Sequence, residues 1–95
     1  MQHHDLKSWE AYYSLHVSGD LPATMRKNDR DYQVGDSLQF HEWDGAKGYS
    51  GRISPIFRIN YILQQTPGLK DGYVLILFDG PWYRPPPVML LCHDQ

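Results

Sequence analysis

Arg26-Lys27-Asn28-Asp29-Arg30-Asp31-Tyr32-Gln33-Val34-Gly35-Asp36 is the stretch on which the reading of this chain turns. It gathers three cations and three carboxylates around an asparagine and a tyrosine, and it closes on Val-Gly-Asp. That turn launches an alternating run from Ser37 to Trp43. A polar loop held between two strands is a common place for a binding site in a small β-rich domain, because a rigid scaffold aims loop side chains at a ligand.

Working outward, Ala23 to Lys27 reads as a short strand entering the loop. Downstream, Leu38, Phe40 and Glu42 point to one face, and Gln39, His41 and Trp43 to the other. Asp44 to Gly51 is a glycine-rich hairpin loop with Asp-Gly as its turn signal. Arg52 to Leu63 returns as one long strand, with Pro55 marking an edge or a bulge near its start. Residues 66–72 form a loop, and the apolar run Tyr73 to Phe78 suits a central strand.

Upstream, Gln2 to Lys7 is a short strand or an extended lead-in. A helix follows, with Ser8 as its N-cap and Glu10 complementing the positive end of the dipole. Trp9, Tyr12, Tyr13, His16 and Val17 fall on one stripe at helical spacing, which predicts a face buried in the core; the alternative is that Trp9, Tyr12 and Tyr13 offer stacking faces for bases. Gly19 stops the helix and Pro22 forbids its resumption. One helix before four or five mostly antiparallel strands defines an α+β domain. The expected closure is a partly open β-barrel of about five strands flanked by the N-terminal helix, since barrels hide their edges.

The 95 residues make a single domain with one modest core. Apolar residues at 41% and charged residues at 21% are globular values, against disorder. A formal charge of −2 gives no global attraction to nucleic acid or to anionic membrane, so any phosphate binding is local. Residues 22 to 70 carry seven Lys/Arg against five acids, a local excess that favours a short ligand over a long duplex. Cys92 stands alone and cannot form an internal disulfide. The N-terminus shows no apolar signal core and no run long enough to span a membrane, so a soluble, cytoplasmic protein is expected. Residues 1–80 are the domain and 81–95 a Pro-rich apolar tail, which either covers the domain's own core or docks on a partner protein.

Arg26, Lys27 and Arg30 are candidates for phosphate recognition, because a guanidinium fork matches paired oxygens. The alternative is that they pair with Asp29, Asp31 and Asp36 and only fix the loop. Asn28 contacts a base or caps a turn. Trp43, at the end of a charged strand beside a flexible loop, is a candidate stacking platform, and Arg52 extends the basic surface. The five histidines lack zinc-ligand spacing, and no Walker loop or dinucleotide fingerprint is present, so no cofactor is expected.

His4-Asp5-Leu6-Lys7, Ser18-Gly19, Arg26 to Arg30, Val34-Gly35-Asp36, Glu42-Trp43-Asp44, Tyr49 to Arg52, Tyr61-Ile62-Leu63 and Gly68 to Val74 follow one another in an order that resembles a branch of the ASCH superfamily. That superfamily has the PUA-like fold and includes small bacterial and phage proteins. The resemblance covers residues 3 to 78. It implies a β-barrel with a cleft beside the first helix and a role in binding RNA or a modified nucleotide. It would place Thr24 in the cleft and Arg26 at the superfamily's arginine. Where the superfamily has a glycine, then a lysine, then a glutamate, this chain has Gly19, Leu21 and Thr24. Relatives that hydrolyse acylated cytidine use that lysine, and no neighbouring base for Thr24 is evident here. The expectation is a binding module. The alternatives are an amidohydrolase acting on an acylated nucleoside, and a phage or mobile-element protein that docks on a host factor through residues 81–95.

Overall fold

The computed structural model describes residues 1–80, so the tail and Cys92 lie outside the described residues. Within them the chain forms β1 (His3–Trp9), α1 (Glu10–Ser18), β2 (Ala23–Lys27), β3 (Ser37–Asp44), β4 (Gly48–Ile53), β5 (Phe57–Gln64) and β6 (Tyr73–Asp79). This is a small α+β domain, mostly sheet, with one short helix. The six strands make an open sheet in the order β1-β3-β5-β6-β2, with β4 paired to the far half of β3.

β1 runs parallel to β3, from His3 opposite Ser37 to Trp9 opposite Trp43. The other pairings are antiparallel. Because the β1 pairing persists through Trp9, Ser8 remains in the strand, buried opposite Glu42, and does not cap the helix. Trp9 occupies the cap position without a side-chain bond, and α1 starts at Glu10. At the other end Gly19 adopts φ +87° and donates to the His16 carbonyl, the left-handed stop that glycine supplies without strain.

The expected long strand from Arg52 to Leu63 is two strands. Pro55 has no N–H to give a ladder, and Ser54 takes over the local bonding. Its backbone amide donates to the Phe40 carbonyl at 2.8 Å, and its hydroxyl oxygen accepts the Phe40 amide at 2.8 Å. Further along β5 the register with β6 shifts between Ile59 and Tyr61.

The core lies on one face of the sheet under α1. Leu38 and Phe40, with Glu42 beyond them, are the buried residues of β3, matching the alternation in the sequence. Val74, Ile76 and Phe78 do the same from β6, which is central as expected. Phe40, Phe57 and Phe78 form a ring triad with centroids 5.1–5.7 Å apart, each ring almost wholly buried. Full burial of such a side chain contributes about 1.5–3 kcal/mol. The helical stripe divides: Tyr13 and His16 are buried, whereas Trp9 and Tyr12 are 55% and 53% exposed. Trp9 belongs to the strand, not the helix, which turns the front of the expected stripe away from the core.

Candidate functional site

The two outer strands of the sheet path, β1 and β2, face each other across a seam without backbone pairing. Arginines from the charged stretch bridge it. Arg26 donates from Nη2 to the Lys7 carbonyl at 2.9 Å, and Arg30 donates from Nη1 to the Asp5 carbonyl at 2.7 Å. Arg26 also donates from Nε to Thr24 Oγ1 at 3.1 Å, which alternation on β2 places on the same side. Burial pushes the Arg26 pKa down from its ordinary range, Tyr32 opposes that, and the neighbouring Arg30 charge adds to it. The group stays charged, as arginine does in proteins.

Two of the three acids of the same stretch, Asp36 and Asp31, are engaged elsewhere. Asp36 is buried: its Oδ1 accepts the Gln2 amide at 3.0 Å, and its Oδ2 accepts the Gln33 amide at 3.0 Å and lies 2.9 Å from His4 Nε2. Burial raises its carboxyl pKa, but these hydrogen bonds outweigh that and hold it below the ordinary value. Asp31 accepts from Gln33 Nε2 at 3.0 Å. Gly35, at φ +97°, gives the turn that aims Asp36 inward. Among the described residues the one arginine ion pair is Arg52 with Glu42, at 3.5 Å on the far strand β4. Internal pairing of Arg26 and Arg30 with Asp29, Asp31 or Asp36 is therefore not what this loop does.

Beside the seam lies a cleft of about 380 Å³. One wall is Lys7, Ser8, Trp9, Tyr12 and His16, and the other is Leu21, Ala23, Thr24, Met25 and Arg26. Two cations, the Ser8, Thr24 and Tyr12 hydroxyls and two exposed aromatic rings line it, and no carboxylate does. The Lys7 ammonium sits 4.1 Å above the Trp43 ring, and the Trp43 ring meets that of Trp9 edge-on at 4.7 Å. Gly45 packs against this pair so closely that a Cβ there would stand 3.4 Å from the Trp9 ring. His16 Nδ1 lies 2.8 Å from the Leu21 carbonyl, and burial pushes its pKa below the ordinary imidazole value. The ring is thus neutral at neutral pH, with Nδ1–H donating.

The structure brings together Thr24 and Arg26 in the cleft, with Arg30 next along the seam. Trp43 is half-buried and supports Lys7 and Trp9 from behind. Lys27 is exposed at the end of β2. Asn28 donates its amide to the Gly72 carbonyl at 2.8 Å and lines a different hollow with Gln64, Gln65 and Lys70. Arg52 lies apart, 5.3 Å over the Tyr13 ring. Lys7 escaped the sequence reading, and Trp9 and Tyr12 enter it only as stacking candidates that the helical stripe outweighs. A single lysine in a strand has no spacing signature, and helical periodicity assigned both rings to the core.

No helix among the described residues is long and apolar enough to cross a membrane. Nor do three His, Cys, Asp or Glu side chains among them gather in a way that could hold a metal ion.

A small α+β domain with a basic, aromatic cleft at an arginine-bridged seam is thus the class of protein in hand. The chain belongs to a family described as a domain of unknown function, DUF3850, whose model matches residues 3–78. It is similar to an uncharacterized 12.9 kDa protein in the GpA 3′ region of Escherichia phage P2, at 42% identity over 74 residues. The match covers 77% of this chain but 64% of that protein's length.

Proposed function

We propose that this chain is a non-catalytic binding module for RNA or a nucleotide, of the PUA-like kind, and that its family is a branch of the ASCH superfamily. The observation that supports this most is the lining of the cleft. Lys7 and Arg26 offer positive charge without a competing carboxylate, and Trp9 and Tyr12 offer exposed rings beside them. A ligand that is anionic at one end and flat and aromatic at the other suits such a lining, and a nucleotide is the common molecule of that description. Base stacking on an aromatic side chain is worth about 1–3 kcal/mol.

Binding is favoured over hydrolysis by the surroundings of Thr24. Its hydroxyl oxygen accepts from the Arg26 guanidinium, which cannot take up the hydroxyl proton. Leu21, in the superfamily's lysine position, presents an apolar side chain to the same cleft. A host factor docked on residues 81–95 belongs to a part of the chain outside the described residues.

Calorimetric titration with single-stranded RNAs, mononucleotides and acylated cytidine tests the proposal. Binding that weakens about tenfold or more in Arg26→Ala is expected, since a hydrogen bond to a charged group contributes about 1.5–3 kcal/mol. Absence of binding to every member of the panel, or affinity indifferent to Arg26, removes it. Acetate released from acetylcytidine, and lost in Thr24→Ala, would make the protein an enzyme instead.

A further inference from the structure

We propose that Arg26 and Arg30 hold two successive phosphates of a single-stranded nucleic acid, so that the ligand is a run of at least two nucleotides laid along the seam beside β1. This rests on the nucleotide reading above and adds the length and path of the ligand.

The spacing comes from β1 itself. Arg26 is anchored on the Lys7 carbonyl and Arg30 on the Asp5 carbonyl. These carbonyls lie on one edge of one strand, the edge opposite β3, because alternate residues of a strand direct their backbone groups the same way. At ~3.3 Å per residue they stand about 6.6 Å apart. Neighbouring phosphates along an extended single strand repeat at a comparable interval. The two phosphorus atoms of a diphosphate share one oxygen and are far too close to reach both anchors.

The charge balance points the same way. Two like-charged guanidinium groups are held side by side by neutral carbonyls, with no carboxylate in ion-pair contact with either among the described residues. Other groups take three of the nearby acids: Asp5 bonds His41 at 2.9 Å and His3 at 3.2 Å, Asp36 bonds His4 and two amides, and Asp31 bonds Gln33, while Asp29 makes no ion pair with either arginine. Each guanidinium still has N–H groups to give. Arg26 uses Nε and one N–H of Nη2, and Arg30 uses one N–H of Nη1, of the five each carries. Arg26 lines the cleft and Arg30 stands outside it, so a strand with one base against Trp9 and Tyr12 would leave the cleft past Arg30.

The test compares a nucleoside monophosphate with a dinucleotide carrying a 5′-phosphate, titrated into the full chain over a series of salt concentrations. Both should bind, the dinucleotide about tenfold more tightly or better. Arg30→Ala should abolish that gain and leave mononucleotide affinity unchanged. The slope of log K against log salt for the dinucleotide should become shallower by about 0.7, one phosphate's worth for a single strand. Arg30→Gln, which keeps a polar side chain without the charge, should behave like Arg30→Ala, whereas Arg30→Lys, which keeps the charge, should retain most of the salt slope. Equal affinity for the two ligands, or a gain and slope that survive both Arg30→Ala and Arg30→Gln, overturns the two-phosphate track while the cleft reading stands. Pyrophosphate that displaces the dinucleotide as well as a second dinucleotide does would replace the track with a general anion hole. If neither nucleotide binds the unaltered chain, the cleft reading fails and the track with it.

Discussion

The two ends of the stretch Arg26 to Asp36 use charge in opposite ways. At the Arg26–Arg30 end, guanidinium groups lie at the surface of a seam, bonded to neutral carbonyls and to a threonine hydroxyl. At the Asp36 end, a carboxylate is 2% exposed with three hydrogen-bonded partners, Gln2 just before β1, His4 within it and Gln33 of its own turn. One end retains charge that an outside ligand can meet, and the other consumes its charge in joining the loop to the first strand. Eleven residues of mixed charge, which invite the assumption of mutual pairing, instead divide their labour by end.

That division predicts separate phenotypes, the largest at the buried end. Asp36→Ala leaves the Gln2 and Gln33 amides and the His4 ring without their acceptor. At about 1–3 kcal/mol for each buried group left unsatisfied, a loss of roughly 3 kcal/mol or more in unfolding free energy is expected by denaturant titration. The same carboxylate has a folded pKa held below its unfolded one. Its stabilisation is therefore present above pH ~4 and lost as pH falls through the folded value, so the unaltered domain should lose stability on that limb and Asp36→Ala should lack it. A shallower loss should begin earlier, as pH falls through ~6.5. There the unfolded chain takes up a proton that burial denies to His16.

At the open end the effect should appear in affinity and hardly in stability. Trp9→Ala removes a ring that is 55% exposed at the mouth of the cleft, and should weaken nucleotide binding by about 1–3 kcal/mol in fluorescence titration. A Trp9 variant that melts early yet binds normally would return the ring to a packing role. The smallest effect belongs to Arg52. Its guanidinium is exposed and lies away from the cleft, but its partner Glu42 is buried and keeps only the Ser50 hydroxyl, so Arg52→Ala should cost about 1 kcal/mol in stability and leave binding alone. Loss of affinity there would mean that the ligand footprint extends to β4.

Much of the frame was legible in the residues. The alternation of Leu38, Phe40 and Glu42, the stop at Gly19 and the Asp-Gly turn after β3 are local signals, and the structure reproduces them. Thr24 and Arg26 came from the family resemblance, and they prove to be alternate residues of one short strand. What escaped depends on pairing between distant segments. The parallel register of β1 with β3 keeps Ser8 and Trp9 extended, moves the helix start to Glu10 and sets Lys7 beside Trp43. No window of sequence around Lys7 or Trp9 contains that information. Pro55 was read correctly as a disruption, but Ser54, which bonds Phe40 through both backbone and side chain, turns the disruption into a full break between strands.

Amide chemical-shift mapping with a single-stranded dinucleotide tests the central claim most directly. The account predicts saturable shifts at Lys7, Trp9, Thr24, Arg26 and Arg30, with Arg52 and the turn at Asp36 unmoved. Shifts gathered around Asn28, Gln64 and Lys70 instead, or none at millimolar ligand, would contradict it.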